Sequence, residues 1–480
     1  MLFSLVAASS FALVIQDAAA LRAAPRDSAL QQSALYQGDM VEIRGSKLDY
    51  LQVYDYRRER GGYIRAQQLR PLELNPAQAA DNRMVWRYLR DVPGAESLGI
   101  AYTAAYLKAA APTDIDAEAF DALGTFADRL AKRANNKPAG KSAELALAGH
   151  LESAAYYGVQ IKRYERDGKA WFCYDGEAYR RVLAMRATAE QQAKAALALT
   201  RSDCINPSAL ETDRQAHDVW RAEVLDKVDQ KELPDLLKQR LRLRKAGIWS
   251  AIAFQQARKG QPYQAAGSRA LQEFSGLKAS ELSDEDQPVY TEAALRVAAS
   301  RWASLPEKLP QTAAVSGLHL NTQNGAAGET CLTLTDGAAP AKAGQNNVLA
   351  RRCTYGMAWM ASQRVHPQNQ ALVVAVQTLE GWRELWLWHK VDQQWVVDVI
   401  PPANSDPDLA YVDFAGWIPG SNDKLLLARE ARIDGRYQRS YEVFNRQNLQ
   451  TETSSERLRN VALFSKWQDA QWQGISLMQR

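Results

Sequence analysis

Five histidines, four cysteines and a few carboxylate pairs are the residues on which chemistry could rest. His150, His217, His319, His366 and His389 are scattered, with no H-x-x-x-H or H-E-x-x-H spacing to set two ligands on one helix face. No G-x-S-x-G elbow, Walker loop or G-x-G-x-x-G turn occurs. Cys204 and His217 are near enough in sequence to suggest a thiol nucleophile. A catalytic cysteine needs an exposed, thiolate-stabilising setting, and a disulfide would consume it. Asp392 and Asp398 in "DQQWVVDVI" are an even number of residues apart and would share a face of a regular strand. Paired carboxylates can hydrolyse glycosides, but acids at strand ends are ordinarily solvated. The acidic run "SELSDEDQ" (280–287) suits a helix N-terminus and lacks the EF-hand pattern. These residues predict no catalytic set, no metal site and no cofactor.

The cysteines point elsewhere. Cys173 and Cys204 bracket two helical patterns, 175–185 and a run from Thr188. Thr188 and Gln191 have capping-box spacing, and "AEQQAKAALALT" is rich in helix formers. Two helices joined so briefly fold back antiparallel, which brings the start of the first beside the end of the second. Cys173 and Cys204 then come within disulfide reach. Cys331 and Cys353 lie in "ETCLTLTDG" and "NVLARRCTYG", two strand-like stretches in a hairpin-like arrangement. Two local pairs with no cysteine left over fit an oxidising compartment; four buried thiols are the alternative. Zinc is not expected, since no C-x-x-C spacing occurs.

The N-terminus bears on the same question. "MLFSLVAASSFALVIQDAAALRAAP" is apolar from Leu2 to Ile15, with small residues at cleavable positions but no Lys or Arg before Arg22. A signal peptide normally opens with positive charge. The reading is a signal remnant over residues 1–10, followed by a strand at "FALVIQ". The cysteine pairs support export independently, so a periplasmic or otherwise exported protein is expected. No run of eighteen apolar residues occurs, so no transmembrane helix is expected in the mature chain. A net charge of +4 on 480 residues does not call for a nucleic-acid partner.

Three zones must position whatever site exists. Residues 11–72 read as short strands: Val41 and Ile43 alternate with Glu42 and Arg44, Leu51 and Val53 repeat the pattern, and Gly38, Gly45, Gly61 and Gly62 fall at turns. The pieces "LRAAP", "GDMVEIRG", "DYLQVYDY" and "GGYIRAQQLR" together resemble the bacterial SH3-like (SH3b) domain over about sixty residues, with Tyr63 at the usual tryptophan position. The resemblance implies a small β-barrel that binds peptides or cell-wall material. The candidate surface is Tyr50, Tyr54, Tyr56 and Tyr63 with Arg57, Arg58 and Arg60: flat rings plus forked donors for carboxylates. The alternative places Tyr54 and Tyr63 half in the core and the arginines in a solvated loop.

Residues 76–304 are helical in pattern almost throughout, from "NRMVWRYLRDV" through "AELALAGHLESAAYYGVQIKRY" to "DLLKQRLRLRKAGIWSAIAFQQARKG". Pro112, Pro138, Gly140, Pro207, Pro234 and Pro262 punctuate them. No steady period near 34 residues is present, so helical hairpins are expected without true repeats. The basic run Lys238, Arg240, Arg242, Arg244 and Lys245 reads as a solvated helix face or as a site for an anionic partner.

Residues 305–480, beyond the linker "SLPEKLPQTAAVSG", change character: strand-like runs follow one another and tryptophan accumulates. "ALVVAVQTLEGWRELWLWHKVDQQWVVDVI" superposes on "KLLLAREARIDGRYQRSYEVFNRQNLQTET", with Gly381 and Gly435 in step and "CTYGMAW" and "YVDFAGW" preceding them. "LRNVALFSKWQDAQWQGISL" reads as a weaker third copy. The unit recurs at about fifty residues, the size of a propeller blade. "FAGWIPGSNDKLLLARE" resembles the Trp-x-Pro-Asp-Gly repeat of TolB-type β-propellers, without its Asp. An open meander is the alternative, and Trp359 and Trp417 are expected to fill the core.

The expectation is therefore a multidomain α+β chain: an SH3-like barrel, an all-α helical-hairpin middle and an antiparallel β-domain, propeller-like or a meander. Its expected role is non-enzymatic, a binding or scaffold protein of the bacterial cell envelope whose partner is a protein or peptidoglycan-type material. A cell-wall-targeted hydrolase with its site in the last zone is the second expectation.

Overall fold

The computed structural model describes residues 10–136, 138–166, 168–305, 317–336, 348–404, 408–433 and 435–478. Residues 1–9 of the expected signal remnant and most of the linker after Ser304 lie outside them. The chain is mixed α+β, with an N-terminal antiparallel sheet, a helical middle and C-terminal sheets. It divides into two units. One runs to Leu210 and takes back Lys227–Leu233; the other holds Glu211–Asp226 and continues from Pro234. The boundary falls inside the helical zone.

The first unit begins with strands β1 (Ser10–Val14), β2 (Ala19–Arg22), β3 (Gln31–Leu35), β4 (Met40–Lys47), β5 (Tyr50–Asp55), β6 (Arg60–Arg65) and β7 (Leu69–Leu72). They form one antiparallel sheet in the order β3-β2-β6-β5-β4-β1-β7. Period-two alternation sends Val14, Leu21, Leu35, Val41, Val53 and Ile64 into one apolar core. A Cβ on Gly62 would stand 2.7 Å from the carbonyl oxygen of Arg22, so only glycine lets β6 close on β2.

Helices α1 (Ala79–Leu89), α2 (Glu96–Ala109), α3 (Ala117–Asn135) and α4 (Lys141–Tyr156) follow. Trp86, Ile100, Tyr106, Phe126 and Leu130 form their core, joined by Leu13 and Leu72 from the sheet. Polar ties hold the same layers: Ser97 donates to the Gln37 carbonyl at 2.8 Å, and Tyr157 to the Gly38 carbonyl at 2.8 Å.

The helical expectation fails at 161–174. "VQIKRY" leaves α4 and forms β8 (Ile161–Arg166), paired with β9 (Lys169–Tyr174). Gly158, at φ +82°, stops the helix in the left-handed region. Helices α5 (Glu177–Ala184) and α6 (Ala189–Leu199) then form the expected hairpin, and α6 opens with the Thr188–Gln191 capping box.

The second unit contains α7 (Glu211–Asp226), α8 (Asp235–Arg258), α9 (Gln264–Ser275) and α10 (Gln287–Ser300). The acidic run contains a capping box, Ser283 with Asp286, on a short 3-10 turn that leads into α10. Asp286 also takes Arg240, at 2.8 Å, and Lys245 is buried against Asp226 at 2.7 Å. Much of the basic run thus meets internal carboxylates.

Strands β10 (Leu318–Asn324), β11 (Thr330–Asp336) and β12 (Val348–Thr354) make a three-stranded sheet. The larger sheet comprises β13 (Met357–Val365), β14 (Ala371–Leu379), β15 (Trp382–Val391), β16 (Gln394–Ile400), β17 (Ala410–Trp417), β18 (Lys424–Ile433), β19 (Arg436–Asn445) and β20 (Gln450–Ser455). The two superposable stretches form β14–β16 and β18–β20. The third does not form strands: it contributes α11 (Ala462–Trp467) and α12 (Ala470–Ile475). Phe464 and Trp472 are buried there against Tyr411, Tyr441 and Val443 of the sheet. Its aromatics fall at helical spacing, and the apolar β-branched runs of the other stretches are missing.

The sheet forks at β15. Trp382 and Arg383 pair in parallel with Ala410 and Tyr411 of β17, whereas Leu385 to Val391 pair with β16. Leu385, Leu387, Ile400, Val412, Leu427 and Phe444 pack within the fork.

Candidate functional site

In the first unit, alternation along β5 turns Leu51 and Val53 to the core and Tyr50, Gln52 and Tyr54 to the other face. Register sets Tyr63 opposite Gln52 and Arg65 opposite Tyr50. The seven expected surface residues do not act as one patch. Tyr50 is buried; its hydroxyl donates to Asp27 at 2.6 Å, and Arg65 lies 5.1 Å above its ring. Arg57 donates to Asp39 at 2.7 Å, and Arg58 to Asp39 at 3.1 Å and Asp55 at 2.8 Å. Burial raises the Asp39 carboxyl above the usual range despite both guanidinium groups. These arginines clamp the turn after β5 to the one before β4. Arg60 donates to the Gln32 carbonyl at 3.0 Å, and Tyr63 is half-buried.

What remains open is smaller. Tyr54 and Tyr56 meet edge to face at 5.0 Å, and Tyr56 is 55 % exposed. Arg44 lies 3.9 Å above the Tyr54 ring and donates to Glu42 at 2.7 Å, and Glu42 also accepts from Tyr56 at 3.1 Å. Arg44 and Glu42 were visible in the sequence only as the solvent side of an alternating strand. Their approach to Tyr54 comes from the β4–β5 register, which sets Glu42 opposite Tyr54.

In the second unit a cleft of about 700 Å³ opens beside the fork. One wall is the end of β16 with Pro401, Pro402 and Ala403; the floor is β18 and β19; Leu449, Thr451 and Ser454 form the far rim. Its volume is that of a ligand pocket. Both lining arginines and Glu442 are paired: Arg429 donates to Glu442 at 3.1 Å, Ser440 and Thr451 donate to Glu442 at 2.6 and 3.0 Å, and Arg439 donates to Glu430 at 3.0 Å. Arg429 also donates to the Pro401 carbonyl, which ties the wall to the floor. The cleft thus offers an apolar wall and a hydroxyl edge, with both of its arginines compensated. Sequence reasoning missed it, because its lining spans Val399 to Glu456 and depends on how the sheet splits.

The histidines do not form a catalytic set. His389 is buried; Nε2 lies 2.6 Å from Asp398 and Nδ1 3.5 Å from Arg446. Both ring nitrogens are engaged, so neither is left to take a substrate proton. Burial holds the ring below the usual imidazole range, although Asp398 pulls the other way. His366 is buried against Trp417, ring centroids 5.0 Å apart, and its Nδ1 accepts from the Gln368 N–H at 3.2 Å. His319 is exposed on β10. Asp392 does not share a strand face with Asp398; it sits in the turn before β16 at φ +48°. In the first unit, His150 bridges Asp17 at 2.7 Å and Arg133. Trp359 is buried and donates to Gln377 at 3.2 Å, a core role as expected, while Trp417 is only half-buried.

Both expected disulfides are present. Cys173 of β9 pairs with Cys204 beyond α6, Cα atoms 5.6 Å apart, so Cys204 offers no thiol nucleophile. Cys331 of β11 pairs with Cys353 directly opposite on β12. Among the described residues no helix is long and apolar enough to cross a membrane. Comparisons of the chain with protein-family models, curated proteins and solved structures find no match.

Proposed function

We infer that this chain is an exported, non-enzymatic binding or scaffold protein of the bacterial cell envelope. Its N-terminal sheet is read as an SH3-like module for peptide or cell-wall material, and its second unit, with the cleft beside the fork, as the seat of a protein partner. The two local disulfides support the compartment. The observation that carries the binding role is the Tyr54–Tyr56 ring pair, the part of the expected surface left open, with Arg44, a residue outside that expectation, stacked on Tyr54. Rings of this kind give flat contact area at low entropic cost.

The test is retention of the full chain on purified peptidoglycan. Wild type is expected to be retained, and Tyr54→Ala/Tyr56→Ala to pass through with its circular dichroism unchanged. Equal retention of both proteins removes the assignment to this face, and no retention of wild type removes the cell-wall reading.

A further inference from the structure

The three-stranded sheet holds a group of ligating atoms that the envelope-binding role does not use. Cys331 and Cys353 are direct cross-strand partners on β11 and β12. The turn joining β10 to β11 folds over them: Gly325 N–H donates to the Glu329 carbonyl at 2.9 Å, and Ala326 N–H donates to a Glu329 carboxylate oxygen at 3.0 Å. That oxygen lies 4.0 Å from Cys331 Sγ. The two sulfurs and the carboxylate oxygen all fall within 4.8 Å of one another. A Cβ on Gly325 would stand 2.3 Å from Glu329 Oε2 and 3.0 Å from Cys331 Sγ, so glycine is what lets the turn close to this distance. Cys331 is buried, whereas Cys353 and Glu329 are half-buried, so one side of the group faces solvent.

We propose that the Cys331–Cys353 pair is a redox-gated site for a soft divalent cation such as Zn²⁺, closed as the disulfide and opened by reduction, with Glu329 as the third ligand. The ladder partners on either side, Thr330 with Thr354 and Leu332 with Arg352, hold both sulfurs beside each other whether or not they are bonded. A dithiol reductant attacks the more accessible Cys353 sulfur as its thiolate; the S–S bond breaks and Cys331 leaves as thiolate. The reductant's second thiol then displaces Cys353 and closes a disulfide on the reductant, so two electrons and two protons pass to the protein. The cation replaces the two thiol protons. Two thiolates and one carboxylate leave a fourth, water-filled position, the composition of an exchangeable rather than a closed structural zinc site. The inference is independent of the binding role proposed above.

The test uses the full chain with Co²⁺ as probe and a phosphine reductant, which does not compete as a thiol ligand. The oxidised protein is expected to bind no Co²⁺. The reduced protein is expected to bind one equivalent, with a thiolate-to-cobalt charge-transfer band that Zn²⁺ abolishes. Cys331→Ser/Cys353→Ser, which keeps the other cysteine pair, should show no band. Glu329→Gln should keep the band but bind about tenfold more weakly or worse, since even outer-shell losses cost that much. The same band in the double serine variant, or no binding by the reduced wild type, overturns the proposal. So does loss of the β-sheet circular dichroism on reduction, because the site needs the ladder to hold the sulfurs together.

Discussion

Arg383 and Asp413 form an ion pair inside the second unit, where β15 and β17 run parallel, and neither residue reaches solvent to any useful extent. Arg383 also donates to the Ala298 carbonyl at 2.7 Å, near the end of α10, and Asp413 accepts from the Trp472 indole at 3.2 Å. This one ion pair thus joins the fork of the sheet to the helix before it and the helix after it. Burial drives the guanidinium down to about 10, and the carboxylate beside it offsets part of that fall.

Removing that carboxylate should be severe. Asp413→Asn strands a buried cation, a loss of about 3–5 kcal/mol. Urea unfolding of the second unit should show its midpoint fall accordingly. Arg301, also buried, reaches the same carboxylate at 3.4 Å, so Arg383→Met/Asp413→Leu removes one cation and leaves the other unpaired, and is expected to recover only part of the loss. A midpoint within 0.5 M of wild type for Asp413→Asn, a shift worth only about 1 kcal/mol at ordinary urea slopes, would contradict this account.

The Cys173–Cys204 bridge closes a span of 31 residues. In the chain-entropy model such a loop contributes about 3–4 kcal/mol. Cys173→Ser/Cys204→Ser should unfold the first unit at correspondingly lower denaturant while leaving the second unit's transition in place. Equal stability with and without the bridge would show it to be incidental.

Acid should loosen the second unit through His366 and His389. Burial depresses both rings below their unfolded value. The unfolded chain therefore binds protons first, near pH 6.5, and the stability these groups contribute, full above that value, is lost as pH falls through their lower folded values. Urea midpoints taken from pH 7.5 to 5 should decline, and His389→Gln should flatten part of the decline. A midpoint that is level or rises over this window would refute the assignment.

Gly62→Ala places a methyl 2.7 Å from a backbone oxygen of β2. The expected result is a lower thermal midpoint for the first unit and faster amide exchange at Arg22 and Tyr63, the register pair between β2 and β6. Unchanged exchange at both positions would mean the sheet order does not depend on this contact.

Local order was legible in the sequence and long-range order was not. The Thr188 capping box, the α5–α6 hairpin and both disulfides followed from spacing, because each closes over a few tens of residues. The β8–β9 hairpin was hidden: Tyr157 and Ile161 continue the helical spacing of α4, and a single glycine decides the break. The cleft depends on β15 changing partner midway, which no periodicity encodes. Nothing in the sequence ties Arg57 and Arg58 of the tyrosine surface to Asp39 and Asp55, because a fold-dependent turn brings these partners together. Arg44 went unnoticed for the converse reason, since its ring partner lies on the neighbouring strand.

The compartment underlies the functional reading, and one measurement addresses it directly. Native protein from its own host would be alkylated before any reductant is added, digested, and read by mass at Cys173 and Cys204. Both are expected to be unlabelled and recovered as one cross-linked peptide pair. Full labelling of both would place the chain in a reducing space and remove the envelope role.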